Sequence, residues 1–331
     1  MIPNKDEIKK FIETHNKFLI IQADNPDGDS IATSLALNEI LTDMGKTAYL
    51  YCAVEVPGYL KFLNGWDKIS STIPADFEAS IIVDTSSIKL LENLTQQIEY
   101  SWVQSKPTLV LDHHQEVDCD IPFASLVSNA QNFASTGEVV YQLAKDFGWP
   151  LSLNTMEYAT QSILSDSLGL TSDIAGPNTY RRVADMLEAG VSRSKLEETR
   201  RELSKMDIEV FRYKADLIDR TEFFYDNQIA LVVIPESELY DIGTLYNPGP
   251  LIMSELLNVK DVKLAVALKV YKNRLTGALR CSAGVEIANQ LASIYGGGGH
   301  PYAAGFRQDN FREDIDAFKY NLVKQAIDLL K

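Results

Sequence analysis

The chain has 331 residues, 45% of them hydrophobic, and a formal net charge of -15. That length exceeds what one hydrophobic core usually supports, and the apolar fraction can fill two, so two domains are expected. The acidic balance excludes a long, sequence-blind nucleic-acid groove, whose affinity comes mainly from Lys and Arg at phosphates, while a small phosphorylated substrate held by metals stays compatible. Cys52, Cys119 and Cys281 are odd in number and widely spaced. That suits buried thiols in a reducing cytoplasm better than a disulfide framework or a zinc knuckle. Residues 1–13 carry no apolar core like that of a signal peptide, and no run approaches the ~18 apolar residues of a membrane span. The expected location is the cytoplasm, away from membranes.

In chain order, residues 5–15 predict a helix and 18–23 a strand. The loop Asn25-Pro26-Asp27-Gly28-Asp29-Ser30 turns into a helix whose apolar face is Ile31, Leu35, Leu37, Ile40 and Leu41, with Asp29 or Ser30 available as its cap. Strands are predicted at 47–53, 79–84, 108–112 and 123–128, with helical patterns between most of them. This alternation indicates an α/β fold with a doubly wound, mainly parallel sheet. From Ser135 the pattern becomes helical: 136–147 ends at Gly148, 154–168 carries Ser165-Asp166-Ser167, and 178–189 stops at Gly190. Residues 194–222 are charged and helix-compatible, and read equally well as a connector or as a surface helix of the first domain. A second, smaller α/β domain follows: strand 228–234, a helix around 247–258, and strands 262–271 and 274–281 joined at Lys272-Asn273 as a hairpin. A helix at 284–295 then runs into Gly296-Gly297-Gly298-Gly299-His300, before a short strand at 303–306 and a terminal helix.

The chemistry concentrates at strand ends. Only four histidines occur in the chain, and two of them follow the apolar run Thr108–Leu111 as Asp112-His113-His114. Strand 18–23 leads into Asp27 and Asp29, and Ile81-Ile82-Val83 ends on Asp84. Open α/β sheets place ligands just outside the carboxyl ends of their strands. Taken singly, an Asp-Gly-Asp loop or a strand-terminal Asp is more often a turn or cap, one of two adjacent histidines could be a core residue, and Asp166 would more often be a surface residue. Their coincidence at successive strand ends is what weighs. Asp27, Asp29, Asp84 and Asp166 with His113 would repel one another unless cations fill the cluster. Two divalent ions would neutralise four carboxylates, and oxygen with imidazole ligands suits Mn²⁺ or Mg²⁺. A pair of ions ~3.5–4 Å apart serves in-line displacement at phosphorus.

These residues resemble the DHH phosphoesterase family: Asn25-Pro26-Asp27-Gly28-Asp29, Val83-Asp84-Thr85, Asp112-His113-His114 and Ile163-Leu164-Ser165-Asp166-Ser167 match its four motifs in order. Leu279-Arg280, Gly296-Gly297-Gly298-Gly299-His300 and Ala303-Ala304-Gly305-Phe306 resemble the DHH-associated domain of the branch containing nanoRNases and phosphoadenosine phosphatases. The resemblance implies a phosphoesterase domain over 1–192, a connector helix over 193–224 and a substrate-binding domain over 225–331. It implies that Asp27 and Asp84 hold one metal, and that Asp29, Asp84, His113 and Asp166 hold the other. Asp112 would orient the histidines, and His114 would touch the substrate phosphate. Arg280, His300 and the backbone N–H groups of Gly297, Gly298 and Gly299 would grip the nucleotide phosphate. The family's first motif normally begins with a metal-binding histidine four residues before the first Asp, where this chain has Ala23. Two ions are expected, or one if Ala23 leaves the first metal short of ligands. Alternation along a strand to residue 23 would turn Gln22 and Asp24 away from the face of Ala23; were the strand to end early, Asp24 or a water could substitute.

The favoured expectation is a Mn²⁺- or Mg²⁺-dependent enzyme acting on short oligonucleotides or 3',5'-bisphosphate nucleotides. A nucleotide-binding pseudoenzyme weakened by Ala23 and a phosphodiesterase of cyclic or linear dinucleotides are the alternatives. The chain could form a homodimer.

Overall fold

The computed structural model describes residues 1–114, 119–203, 205–241 and 248–331, apart from the side chains of Leu203, Tyr240, Asp241, Pro250 and His300. Two compact units result, Met1–Lys205 and Met206–Lys331.

The first unit contains α1 (Lys5–Thr14), β1 (Lys17–Ile21), α2 (Gly28–Asp43), β2 (Thr47–Tyr51), β3 (Ile69–Ser70), β4 (Ala79–Val83), α3 (Glu92–Thr95), α4 (Tyr100–Gln104), β5 (Thr108–Asp112), β6 (Leu126–Asn129), α5 (Thr136–Phe147), α6 (Leu153–Asp166), α7 (Pro177–Glu188) and α8 (Arg193–Leu203). Its six strands lie in the order β3-β2-β1-β4-β5-β6, and every pairing is parallel. β4 and β5 are buried at every position, so they read as continuous apolar runs instead of alternating ones. Phe18 and Ile20 of β1 pack under α1, α2 and α5 with Ile8, Ile31, Leu35 and Val139. Leu19 and Ile21 face the other way, onto Leu91, Leu94 and Val103 around α3 and α4. Both faces are therefore covered, as a doubly wound sheet requires. The chain moves outward from β1 to β3 and then returns to place β4 on the other side of β1. The point between β1 and β4 where the order reverses is where such sheets leave a crevice for ligands.

α2, α5 and α6 start at strong caps. Asp27 and Ser30 form a reciprocal capping box at α2, Ser135 accepts from the Glu138 N–H at α5, and Ser152 accepts from the Thr155 N–H at α6. These helices approach closely. A Cβ at Gly28 would lie 2.4 Å from Ser165 Oγ, and one at Gly137 would lie 2.3 Å from Ser162 Oγ. Glycine at these two positions lets α6 press against the starts of α2 and α5.

The second unit contains α9 (Ile208–Asp219), β7 (Glu222–Phe224), β8 (Ile229–Pro235), α10 (Glu236–Asp241), α11 (Pro248–Leu257), β9 (Leu264–Tyr271), β10 (Arg274–Cys281), α12 (Ala288–Ile294), β11 (Gly298–His300), β12 (Ala303–Asp309) and α13 (Ile315–Leu330). Its strand order is β11-β12-β10-β9-β8-β7, with β8–β9 parallel and the other pairings antiparallel. The hairpin at Lys272-Asn273 is present, Tyr271 pairing with Arg274. One face packs Leu275, Leu279 and Phe306 against Leu291, Phe318 and Leu322. The other packs Ala265 and Ala267 against Val210, Leu217 and Leu256.

Several boundaries differ from the sequence reading. β1 stops at Ile21 and β2 at Tyr51, while the strand expected at 123–128 is formed by 126–129. The span 193–224, expected as one connector helix, is divided. Leu196 of α8 buries in the first unit, Val210 and Leu217 of α9 bury in the second, and β7 pairs with β8. The division falls at 205/206 instead of at 192 and 225. Charge content could not separate these segments, because the few apolar positions in each face different cores. Position 247, where a helix was expected to begin, lies outside the described residues.

Candidate metal centre

Four of the predicted ligands meet at the carboxyl end of the first sheet. One ligand atom from each of Asp29, Asp84, His113 and Asp166 lies within 4.8 Å of the others, and Asp84, His113 and His114 form a second, overlapping set. Each arrives from a different element: Asp29 from the first turn of α2, Asp84 from just after β4, His113 from just after β5, and Asp166 from the last turn of α6. His113 Nε2 is 3.0 Å from Asp166 Oδ2 and 3.5 Å from both Asp29 Oδ2 and Asp84 Oδ1. This nitrogen is buried without an aligned hydrogen bond. A buried polar atom aimed at three carboxylates and bonded to none suits a cation in their midst. The donor set therefore fits a divalent ion.

The surrounding chain is shaped to hold these groups. Asp29 is fully buried. It accepts hydrogen bonds from Thr33 Oγ1 (2.8 Å), Ser162 Oγ (2.6 Å), Thr136 N (2.7 Å) and Gly137 N (3.2 Å). The last two donors are N–H groups of the first turn of α5, Gly137 N also donating to Ser162 Oγ at 3.1 Å, and there the helix dipole favours an anion. Asp84 occupies the left-handed region, with φ of 60°, and Thr136 Oγ1 donates to its Oδ1 at 3.1 Å. Asp112 fixes the histidine pair. Its Oδ1 accepts from His113 N at 2.8 Å, His114 N at 3.3 Å and His114 Nδ1 at 2.7 Å, while Ser86 Oγ donates to Oδ2 at 2.6 Å. A carboxylate with that many donors becomes an organiser of the turn.

The charges respond accordingly. Burial and the neighbouring charges of Asp29 and Asp27 raise the Asp84 carboxyl well above its ordinary range. Burial, with the charge of Asp29, lifts Asp166 to about 6. Burial alone would lower His113, but the close carboxylates of Asp166 and Asp84 and the charge of Asp29 overcome it and hold the imidazolium up to about 12. His114 is likewise raised, burial opposing and Asp112 prevailing. Asp112 itself is lowered to about 2: burial works against ionisation, and its bonds from His114 and Ser86 win. Without a metal, His113 is thus the cation nearest the cluster, with His114 Nδ1 3.9 Å from Asp84 Oδ1 beside it.

Asp27 stands at the edge. Its residue surface is exposed, its Oδ1 accepts from Ser30 N at 3.0 Å, and it does not join the four-atom cluster. The protein around it and the charge of Asp29 still raise its carboxyl, and solvent access makes it the rim of the site. Around Ala23 the strand does end early. Asp24 nevertheless does not substitute for the missing imidazole: its Oδ2 accepts from Asn93 N at 2.8 Å, at the start of α3. Gln22 is buried, with neither end of its amide bonded.

The remaining predicted residues belong to the second unit. Arg280 is exposed on β10, on the opposite face from Leu279. Its guanidinium donates to Leu279 O at 3.0 Å, and it forms no ion pair with any described residue. Gly297 and Gly299 have packing reasons of their own. A Cβ at Gly297 would lie 2.1 Å from Gly305 O, and Gly299 has φ of 133°. Gly298 faces open space. His300 is the last residue of β11, and its side chain lies outside the described residues.

Sequence reasoning missed the supporting cast: Ser86, Thr136, Gly137 and Ser162. The signal for the middle pair was present, since Ser135-Thr136-Gly137-Glu138 has the Ser-x-x-Glu form of a helix start. Nothing in the sequence marked Ser162 or Ser86, which act through contacts with residues far along the chain.

Residues 17–170 match the profile described as the DHH family, N-terminal domain. The "Bifunctional oligoribonuclease and PAP phosphatase NrnA" of Bacillus subtilis is 21% identical over 306 residues, covering 91% of this chain and 92% of that protein. An exopolyphosphatase-related protein from Bacteroides fragilis superposes with a TM-score of 0.84 at 19% identity, over 99% of this chain and 97% of that one. RecJ from Thermus thermophilus, solved with Mn²⁺, gives a TM-score of 0.60 at 14% identity, over 98% of this chain and 55% of that one. Among the described residues, no helix is long and apolar enough to cross a membrane. With the family profile lying on the segment that carries Asp29, Asp84, His113 and Asp166, residues 17–170 form a DHH-family domain and the chain is a phosphoesterase.

Proposed function

We propose that the protein hydrolyses short oligoribonucleotides, or 3',5'-bisphosphate nucleotides, with Mn²⁺ or Mg²⁺ as its metal. The observation that carries this reading is the buried set Asp29, Asp84, His113 and Asp166, three hard oxygen donors and one imidazole. The nearly full-length similarity to a bifunctional oligoribonuclease and PAP phosphatase supports the substrate class. Asp29, Asp84, His113 and Asp166 would hold the ion, with Asp27 at the rim available to a second. A divalent ion there supplies Lewis-acid polarisation and neutralises charge on the phosphoryl oxygens.

The chain's own groups do the rest. Asp112 orients His114 through the bond to Nδ1, and His114, 33% exposed at its side chain, is the histidine of the pair that meets solvent. Held in its protonated form by Asp112, it would donate to a phosphoryl oxygen of the substrate. Arg280, the N–H groups of Gly297, Gly298 and Gly299, and His300 would bind the nucleotide phosphate from the second unit. The acidic surface would disfavour long polyanions and leave small, metal-accompanied phosphates as substrates.

Purified protein with Mn²⁺ and a ribodinucleotide should release mononucleotides, and Asp84→Ala should abolish that release. No turnover of dinucleotides or of 3',5'-bisphosphates, with Asp84→Ala indistinguishable from wild type, would sink the reading.

A further inference from the structure

His113 has a second ring nitrogen, and what it bonds to decides how the first one is presented. Nδ1 lies 3.3 Å from the carbonyl oxygen of Phe133. Donation from Nδ1–H to that oxygen leaves Nε2 for the carboxylate cluster and sets the rotation of the ring. The question becomes what holds the Phe133 carbonyl.

Two side chains from two helices grip that stretch. The next peptide N–H, that of Ala134, donates to Glu138 Oε2 at 2.6 Å. Glu138 is fully buried and sits in the first turn of α5, three residues after the capping Ser135. In an ordinary capping box such a glutamate reaches back to the cap residue's own N–H. Here it reaches one residue further, into the loop that carries Phe133. Its Oε2 also accepts from Thr179 Oγ1 at 3.3 Å, and its Oε1 accepts from Arg182 Nη1 at 2.7 Å. Arg182, on α7, is itself steadied by donation from Nε to Gln142 Oε1 at 2.7 Å. Its guanidinium lies over the Phe133 ring, 4.5 Å from the centroid. The residue whose carbonyl receives His113 is thus held by Arg182 at its ring and by Glu138 at its following peptide.

A buried ion pair is a poor choice for stability alone, because packed apolar groups of the same volume often serve as well or better. Its placement points to another role. We propose that Arg182 and Glu138 are positioning residues for metal binding: they fix the Phe133 carbonyl, which selects the His113 tautomer and aims Nε2 at Asp29, Asp84 and Asp166. This inference rests on the reading that the cluster holds a divalent ion.

The test titrates metal-free, full-length protein with Mn²⁺ by calorimetry, with thermal unfolding of the metal-free forms alongside. Arg182→Met and Glu138→Gln are expected to weaken Mn²⁺ binding by roughly tenfold to a hundredfold, the scale on which groups behind a metal ligand act. Arg182→Lys, which keeps the charge but not the planar fork, should recover part of the affinity; should Arg182→Met fail to fold, this variant carries the same comparison. In a His113→Ala background the penalty of the Arg182 substitution should vanish, because the ring through which it acts is gone. An equal penalty in both backgrounds, or wild-type affinity in both Arg182→Met and Glu138→Gln, overturns the inference while leaving the metal reading intact. A wild-type protein that takes up no Mn²⁺ overturns both.

Discussion

The carboxyl end of the first sheet gathers three carboxylates and an imidazole where solvent hardly reaches, whereas the second unit leaves Arg280 and Gly298 exposed. The contrast follows from architecture. In the first unit parallel strands deliver side chains to one end of a sheet buried on both faces, and helix starts supply the N–H groups that make buried anions tolerable. In the second unit a mostly antiparallel sheet offers part of a strand face, with its arginine in water. The first has a donor set that fits a cation. The second leaves its proposed substrate-binding groups open to solvent. Substitutions in the first unit should therefore change chemistry or folding, and those in the second should change substrate affinity.

The largest expected effect tests the first half of that contrast. Asp84→Ala should lower kcat with a dinucleotide by at least about a thousandfold, the scale of removing a group that acts as part of a catalytic unit. A loss confined to KM would break the distinction. For the second unit, Arg280→Ala should raise KM by roughly tenfold to a hundredfold, as for loss of a charged hydrogen bond, with kcat little changed. A fall in kcat alone would show that the second unit takes part in chemistry.

Smaller effects sharpen the comparison through stability. Folded Asp166 releases its proton near pH 6, against 3.8 ordinarily. Between those values the native state keeps a proton that the unfolded chain has lost, so metal-free protein should lose stability as pH rises through that window. Added Mn²⁺ favours the ionised cluster and should raise the melting temperature by several degrees near neutral pH. Identical melting curves with Mn²⁺ and with chelator would contradict a filled centre. Gly137→Ala should destabilise by about 1–3 kcal/mol in urea unfolding, since its new methyl meets Ser162. Gly298→Ala, which meets only open space, should leave stability within about 0.5 kcal/mol. Any loss of substrate affinity in that variant would then belong to the ligand contact and not to the hairpin.

Much of this could be read before folding. The apolar runs 79–83 and 108–112 announce buried parallel strands because both of their faces are covered, and the carboxylates and histidines that follow them are adjacent in sequence to the strands that place them. Asp166, which taken singly reads as a surface residue, was legible through the resemblance of Ile163-Leu164-Ser165-Asp166-Ser167 to the family's fourth motif. What escaped detection depended on distance along the chain. Ser162 and Asp29 are neighbours through the close approach of α6 to α5 and α2, which the small residues permit but do not announce. The division of 193–224 was hidden because α8 and α9 look alike in charge, and only their few apolar side chains reveal separate cores. Asp24 was open as a substitute ligand only if the strand ended early; the strand does so, and the bond from Asn93 N turns Asp24 elsewhere.

The left-handed backbone at Asp84 has a practical consequence. Asparagine shares with aspartate a tolerance for that conformation, through a short polar side chain that bonds locally, whereas alanine does not. Exchange of one carboxylate oxygen for an amide nitrogen, Asp84→Asn, should thus preserve the path of the main chain while blunting the anionic grip. Such an inert twin would be suited to trapping an uncleaved ester for crystallography.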